Sequence, residues 1–296
     1  MAAFIPSSTD VTVQLRDGRR VGLAMIGPED GFPIIHCHGS GSSRLEATLL
    51  AVQAEQAGVR LIALDRPGVG LSDPKPSYRL LDWPDDVAEV ADHLGIKRFA
   101  VEGFSAGGPY ALACAARIPQ RLTACGLIST VAPPDLIRKA GPLWMRIIWG
   151  AGARLPHLLL SYARLVQRMT GTNAASIEKY LALYAKQLDP ADQQLLSNPE
   201  IRQHLAQAMA ESFRQGAAGN LAAVRAEVQP WGFSVEQVAC ERLHLWHGEQ
   251  DRVMPIAPAR LLAQLLPHCV ATFYPETGHF STLAHHCLEI FSLLRK

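Results

Sequence analysis

Short apolar runs that alternate with helix-like stretches predict an α/β protein built on a mostly parallel, doubly wound sheet. Three observations carry this. Between about residues 32 and 129 the runs Pro33 to His36, Leu61 to Leu64, Phe99 to Val101 and Cys125 to Ser129 read as buried strands, the first three each leading through a polar or Gly-rich loop into a helical pattern. The alternation then stops and resumes at Arg242 to Trp246, which describes one domain interrupted by an insertion. Finally, Gly103-Phe104-Ser105-Ala106-Gly107 places a serine on the tight turn between a strand and a helix.

Residues 11 to 26 read as a hairpin around Asp17-Gly18, so the chain opens antiparallel. After Pro33 to His36, Ser43 and Glu46 have capping-box spacing, predicting a helix to about Gln56 that Gly58 closes. Leu61 to Leu64 ends in the loop Asp65 to Asp73. Asp82 is expected to cap a helix with Pro84 in its first turn and Gly95 as its stop. Ala106 to Ile118 is the next helix. The core is thus assigned to residues 1–131 and 229–296, and residues 132–228 to a helical insertion punctuated at Gly150-Ala-Gly152, Gly171-Thr-Asn173, Asp189-Pro190 and Ser197-Asn-Pro199. The apolar run from Leu143 to Trp149 fits either a core face or a cleft wall. A Pro255 to Leu266 helix, a Val270 to Tyr274 strand and a terminal helix from about Ser281 complete the chain.

With 296 residues, 48% of them hydrophobic, a full core can be buried. A formal charge of +1 supplies no field for nucleic acid or an anionic membrane, so partners must be recognised locally and a small molecule is expected. The six cysteines, Cys37, Cys114, Cys125, Cys240, Cys269 and Cys287, are scattered and mostly lie in apolar runs. Met1 to Asp10 lacks the basic and apolar regions of a signal peptide, so a reducing cytoplasm is the expected compartment. The longest apolar candidate, Leu143 to Leu160, is interrupted by Arg146, Arg154 and His157, and no stable membrane insertion is expected.

A serine hydroxyl is a weak nucleophile and needs a base, and the base needs a partner to fix its tautomer and balance its charge. Asp251 follows the Leu243 to Trp246 strand and His279 follows the last strand, so Ser105, Asp251 and His279 all fall at the carboxyl ends of strands, in the order Ser, Asp, His. Asp135 is a rival acid, although Pro133-Pro134 before it reads as the start of the insertion. An oxyanion would be held by the N–H of Ala106, the residue after the nucleophile, and by that of Ser40, where Gly39 and Gly41 leave the backbone free to turn. His36 and His38 find no third ligand cluster, so no metal is expected, and His38 is expected to bond within its own loop.

With His38-Gly39, Asp65-Arg66-Pro67-Gly68-Val69-Gly70-Leu71-Ser72, Gly103 to Gly108, Gly248 to Asp251 and Gly278-His279, nearly the whole chain resembles the α/β-hydrolase family. The resemblance implies a sheet of about eight strands, a helical cap over the site, and Ser105, Asp251 and His279 as a triad; no cofactor is expected. Serine in the elbow disfavours the haloalkane dehalogenases and epoxide hydrolases, which attack with aspartate. His38-Gly39-Ser40-Gly41-Ser42 departs from the H-G-G-P-G usual in proline iminopeptidases. The expected activity is that of a carboxylesterase on small or medium esters. C–C bond hydrolysis or cofactor-free perhydrolysis with the same residues is the alternative, and a ligand-sensing protein on a hydrolase scaffold is the remaining class.

Overall fold

The computed structural model describes residues 7–154 and 173–296. Eight strands form one sheet: β1 (Ser7–Gln14), β2 (Arg20–Ile26), β3 (Phe32–Cys37), β4 (Val59–Leu64), β5 (Phe99–Phe104), β6 (Leu122–Ile128), β7 (Leu243–Gly248) and β8 (Cys269–Tyr274). Their order across the sheet is β1-β2-β4-β3-β5-β6-β7-β8. β1 and β2 pair antiparallel, as does β2 with β4, and all other pairings are parallel. The hairpin therefore supplies one antiparallel edge to an otherwise parallel sheet.

Both faces of the sheet are covered, and the strands show why. Ile34, Leu61, Ala100 and Ala124 join the core on one face, whereas their neighbours Ile35, Ile62, Val101 and Cys125 join the core on the other. The helices are α1 (Ala51–Ala57), α2 (Trp83–His93), α3 (Gly108–Arg117), α4 (Pro134–Ala140), α5 (Leu143–Arg154), α6 (Ala174–Tyr184), α7 (Pro190–Ser197), α8 (Pro199–Ser212), α9 (Ala218–Val228), α10 (Ile256–Leu265) and α11 (His279–Arg295). Ala51 and Ala54 of α1 and Ile290, Phe291 and Leu294 of α11 cover one face; Val87 and Val90 of α2, Tyr110 of α3 and Leu262 of α10 cover the other.

Between β6 and β7 the described residues are helical. Asn173, Asp189 and Asn198 each accept a hydrogen bond from a backbone N–H in the first turn of the helix that follows, which explains the breaks predicted at these positions. Gly150 and Gly152 do not break the chain: α5 runs through both. Within α5, Met145 is buried while Leu143 and Ile147 are exposed, and residues 155–160 of the apolar run lie outside the described residues, as do 171 and 172 of one predicted break. Ile177, Leu181, Leu188, Leu196 and Leu205 form a separate apolar cluster that rests on Leu49, Val253 and Phe280. These helices therefore sit over the ends of β3, β7 and β8.

Two local readings are corrected. Ser43 caps a 3-10 turn, Arg44–Leu50, ahead of α1, but Glu46 does not reach back to it; its carboxylate is drawn to a buried imidazole. Asp82 lies in helical conformation and its side chain makes no cap bond to α2; it reaches back instead to accept from the N–H of Arg79, at the start of the 3-10 turn Leu80–Asp82. Gly58 ends α1 in the left-handed conformation, as its position predicts.

Candidate active site

Gly103, Gly107 and Gly108 make the turn after β5 possible. A Cβ on Gly103 would collide with the backbone of Gly107, one on Gly107 with the carbonyl of Cys37, and one on Gly108 with the side chain of Thr130. Ser105 at the apex adopts φ +54°, a conformation that costs an L side chain roughly 1–3 kcal/mol and persists only where the surroundings hold it. Its carbonyl accepts from the N–H of Val131, tying the elbow to the end of β6. Gly39 packs over it, so that a Cβ there would lie 3.6 Å from that of Ser105.

His279 is held on every side. Its Nδ1 lies 2.8 Å from Oδ2 of Asp251, whose Oδ1 accepts from the N–H groups of Val253 (2.8 Å) and Met254 (2.7 Å). Its carbonyl accepts from the hydroxyl of Ser129 (2.9 Å), and its own N–H donates to Asp192 (2.8 Å). The imidazole lies 5.0 Å from the ring of Phe104, the residue before Ser105, and meets Phe280 edge-on at 5.1 Å. Burial alone would push this imidazole down, but the charge and hydrogen bond of Asp251, with the charges of Asp192 and Glu46, carry it above its ordinary value. His279 follows the last strand as the sequence suggests and opens α11, which starts two residues ahead of the predicted start at about Ser281. Among the described residues no hydrogen bond or ion pair joins Asp135 to His279; Asp135 lies in the first turn of α4.

A second buried histidine supports the loop after β3. His36 Nδ1 bonds Glu102 and its Nε2 lies 3.1 Å from Glu46, so burial, which would lower its pKa, is outweighed by two carboxylates that raise it to about 10. The imidazolium ties Glu46 to Glu102. Glu46 also accepts from the N–H of Gly39 at 2.9 and 3.2 Å. That amide is thereby spoken for, whereas among the described residues no hydrogen bond takes the N–H of Ser40, whose side chain is exposed. His38 Nδ1 bonds the carbonyl of Gly39 (2.9 Å), as expected, and its own carbonyl accepts from Arg66. Among the described residues no group of three or more His, Cys, Asp or Glu side chains could hold a metal ion.

The geometry thus brings Asp251 and His279 into contact and lays the imidazole against Phe104, the residue before Ser105, while among the described residues no hydrogen bond joins His279 to Ser105. Sequence reasoning missed Glu46 in its actual role, His36 and Glu102 as its partners, and Asp192 and Ser129 as anchors of His279. Only Glu102 carried a usable signal, as an acidic residue inside a run in which every other residue of β5 is apolar and buried.

A family model for the alpha/beta hydrolase fold matches residues 33–285, and the chain belongs to that family. It is 26% identical to 2-hydroxymuconate semialdehyde hydrolase of Pseudomonas putida, over 86% of this chain and 83% of that one. It is 28% identical to pimeloyl-[acyl-carrier protein] methyl ester esterase of Chromobacterium violaceum, over 86% and 90%. Its fold is also that of a thermophilic esterase from Thermogutta terrifontis, with a TM-score of 0.69 at 20% identity over 97% of each chain. Among the described residues no helix is long and apolar enough to cross a membrane.

Proposed function

We propose that this hydrolase cleaves carboxylic esters of small or medium size through an acyl-enzyme on Ser105. The observation that carries the reading is the 2.8 Å pairing of His279 Nδ1 with Asp251, its imidazole packed on Phe104, the residue before a serine held at φ +54° on a strand-to-helix elbow. With Nδ1 committed to Asp251, Nε2 is the free acceptor. It takes the proton of Ser105 Oγ as that oxygen attacks the ester carbonyl, and returns it to the leaving alcohol. Water, deprotonated by the same nitrogen, then releases the acid. The N–H groups of Ala106 and Ser40 hold the oxyanion, each worth roughly 2.7–4 kcal/mol in the transition state. The inserted helices act as the cap, and their packing on Phe280 and Val253 supports that role.

A second reading, hydrolysis of a C–C bond next to a carbonyl, is favoured by the similarity to the semialdehyde hydrolase and would use the same residues. The test is a panel of aryl esters of increasing acyl length, run beside a C–C hydrolase substrate with the wild-type chain and Ser105→Ala. Ester turnover that falls by roughly 10³-fold or more in the variant is expected. Turnover that survives the substitution overturns the mechanism, and turnover of the C–C substrate alone assigns the second reading.

A further inference from the structure

Asp192 belongs to α7, far along the chain from the α11 residues it touches, yet its side chain is fully buried. It accepts from the N–H of His279 (2.8 Å) on one oxygen, and from the N–H of Phe280 (3.1 Å) and both the N–H (2.8 Å) and hydroxyl (2.7 Å) of Ser281 on the other. The first N–H groups of a helix lack intrahelical partners and favour a negative charge. They are normally met by a residue just before the helix. Here Gly278 has no side chain to offer, and the acceptor comes from 87 residues upstream. Asp189, which caps α7 through the N–H groups of Ala191 and Asp192, presses against Gly278 so closely that a Cβ there would collide with its carboxylate.

We propose that Asp192 is a positioning residue for His279, making the seating of the helical insertion on the core a condition for a competent base. The inference rests on the reading of His279 as that base. Asp192 fixes the backbone from which the imidazole projects, while Asp251 fixes the ring and Ser129 the carbonyl. The charged groups facing His279 are Asp251 from the end of β7, Glu46 from the turn after β3 and Asp192 from the insertion, and the titratable neighbour is His247, which burial holds below its ordinary value. Of these, Asp192 is the one contributed by the insertion. Its carboxylate favours the imidazolium that forms when Ser105 is deprotonated.

The test uses the full chain with Asp192→Asn, which keeps an acceptor oxygen and the side-chain shape but removes the charge. His279 is titrated by NMR in a Ser105→Ala background, where turnover is irrelevant, and kcat and KM are measured with serine in place. The titration midpoint is expected to fall by about half a pH unit or more. The kcat is expected to drop roughly tenfold with KM little changed, and the acid limb of the rate to move to lower pH with the midpoint. A folded variant with unchanged midpoint and kcat overturns the proposal. Should the asparagine variant not fold, Asp192→Glu decides: it retains the charge but displaces it, so a midpoint near wild type with a lowered kcat supports positioning, and a wild-type kcat overturns it. Failure of the esterase reading would show separately, as turnover that survives Ser105→Ala.

Discussion

Replacing Glu46 by glutamine tests whether the buried His36 imidazolium supports the loop proposed to hold the oxyanion. His36 titrates near 10, against an ordinary 6.5, because Glu102 and Glu46 outweigh its burial. Its protonation therefore stabilises the fold fully below the ordinary value, and that contribution is lost as pH rises through about 10. Glu46 is one of two carboxylates on that ring, so Glu46→Gln should remove about 2 kcal/mol, the range of one charged hydrogen bond. For a chain of this size that lowers Tm by roughly 4 to 6 °C at pH 7. The gap between wild type and variant should narrow as pH approaches 10, where the wild-type imidazole also loses its proton. Because the glutamine carbonyl can still accept from Gly39, kcat/KM on an aryl ester should fall by only about tenfold. Thermal melts from pH 6 to 10.5 and initial rates at pH 8 read both effects. A Tm gap that does not change with pH would refute the imidazolium, and an unchanged rate would separate it from the oxyanion loop.

Two further predictions concern the elbow and the acid. Asp251→Asn should leave the fold intact but lower kcat by about 10⁴-fold at pH 8, because the amide cannot hold the Nδ1–H tautomer or balance the imidazolium; a loss under tenfold would point to another acid. Gly107→Ala would drive a methyl group into the carbonyl of Cys37, a backbone atom with no room to yield, so urea unfolding should show a loss of about 3 kcal/mol or more. Gly95→Ala is the control: its φ of +71° is strained but the space around it is open, so it should lose only about 1 kcal/mol.

What the sequence revealed was what local chemistry determines. The strands were legible because parallel strands covered on both faces are continuously apolar. The elbow was legible because a turn that tight needs Gly103 and Gly107 on either side of Ser105. Ser43 and Glu46 illustrate the limit. Their spacing satisfies a capping box, but His36, buried ten residues earlier, offers Glu46 a charged donor that a backbone amide cannot match. Gly150 and Gly152 read as punctuation, yet α5 continues through both, because a glycine inside a helix weakens it by only about 1 kcal/mol and does not end it. Asp192 was not legible at all. Its partners are the opening amides of a helix 87 residues away, and no spacing rule joins them.

These long-range polar ties decide which edge of the insertion can move. Lifting α7 away from α11 would strand the N–H groups of His279, Phe280 and Ser281 and expose Asp192, at about 1–3 kcal/mol for each donor left unmet. The far side is tied as well: the Ser43 hydroxyl donates to the carbonyl of Ala208, the Ser212 hydroxyl to that of Gly41, and Arg66 reaches both Glu227 and the carbonyl of His38. The Ser43 and Ser212 contacts end on the loop after β3, the Asp192 contacts on the start of α11, and Arg66, from the loop after β4, links Glu227 to the loop after β3. The loop after β3 and the start of α11 are the segments proposed to supply the oxyanion donor and the base. The insertion is thus tied to the core along both edges by its described helices. Its seating and the geometry of the reacting groups are held by the same hydrogen bonds, so substitutions that loosen it should lower kcat before they alter which substrates enter.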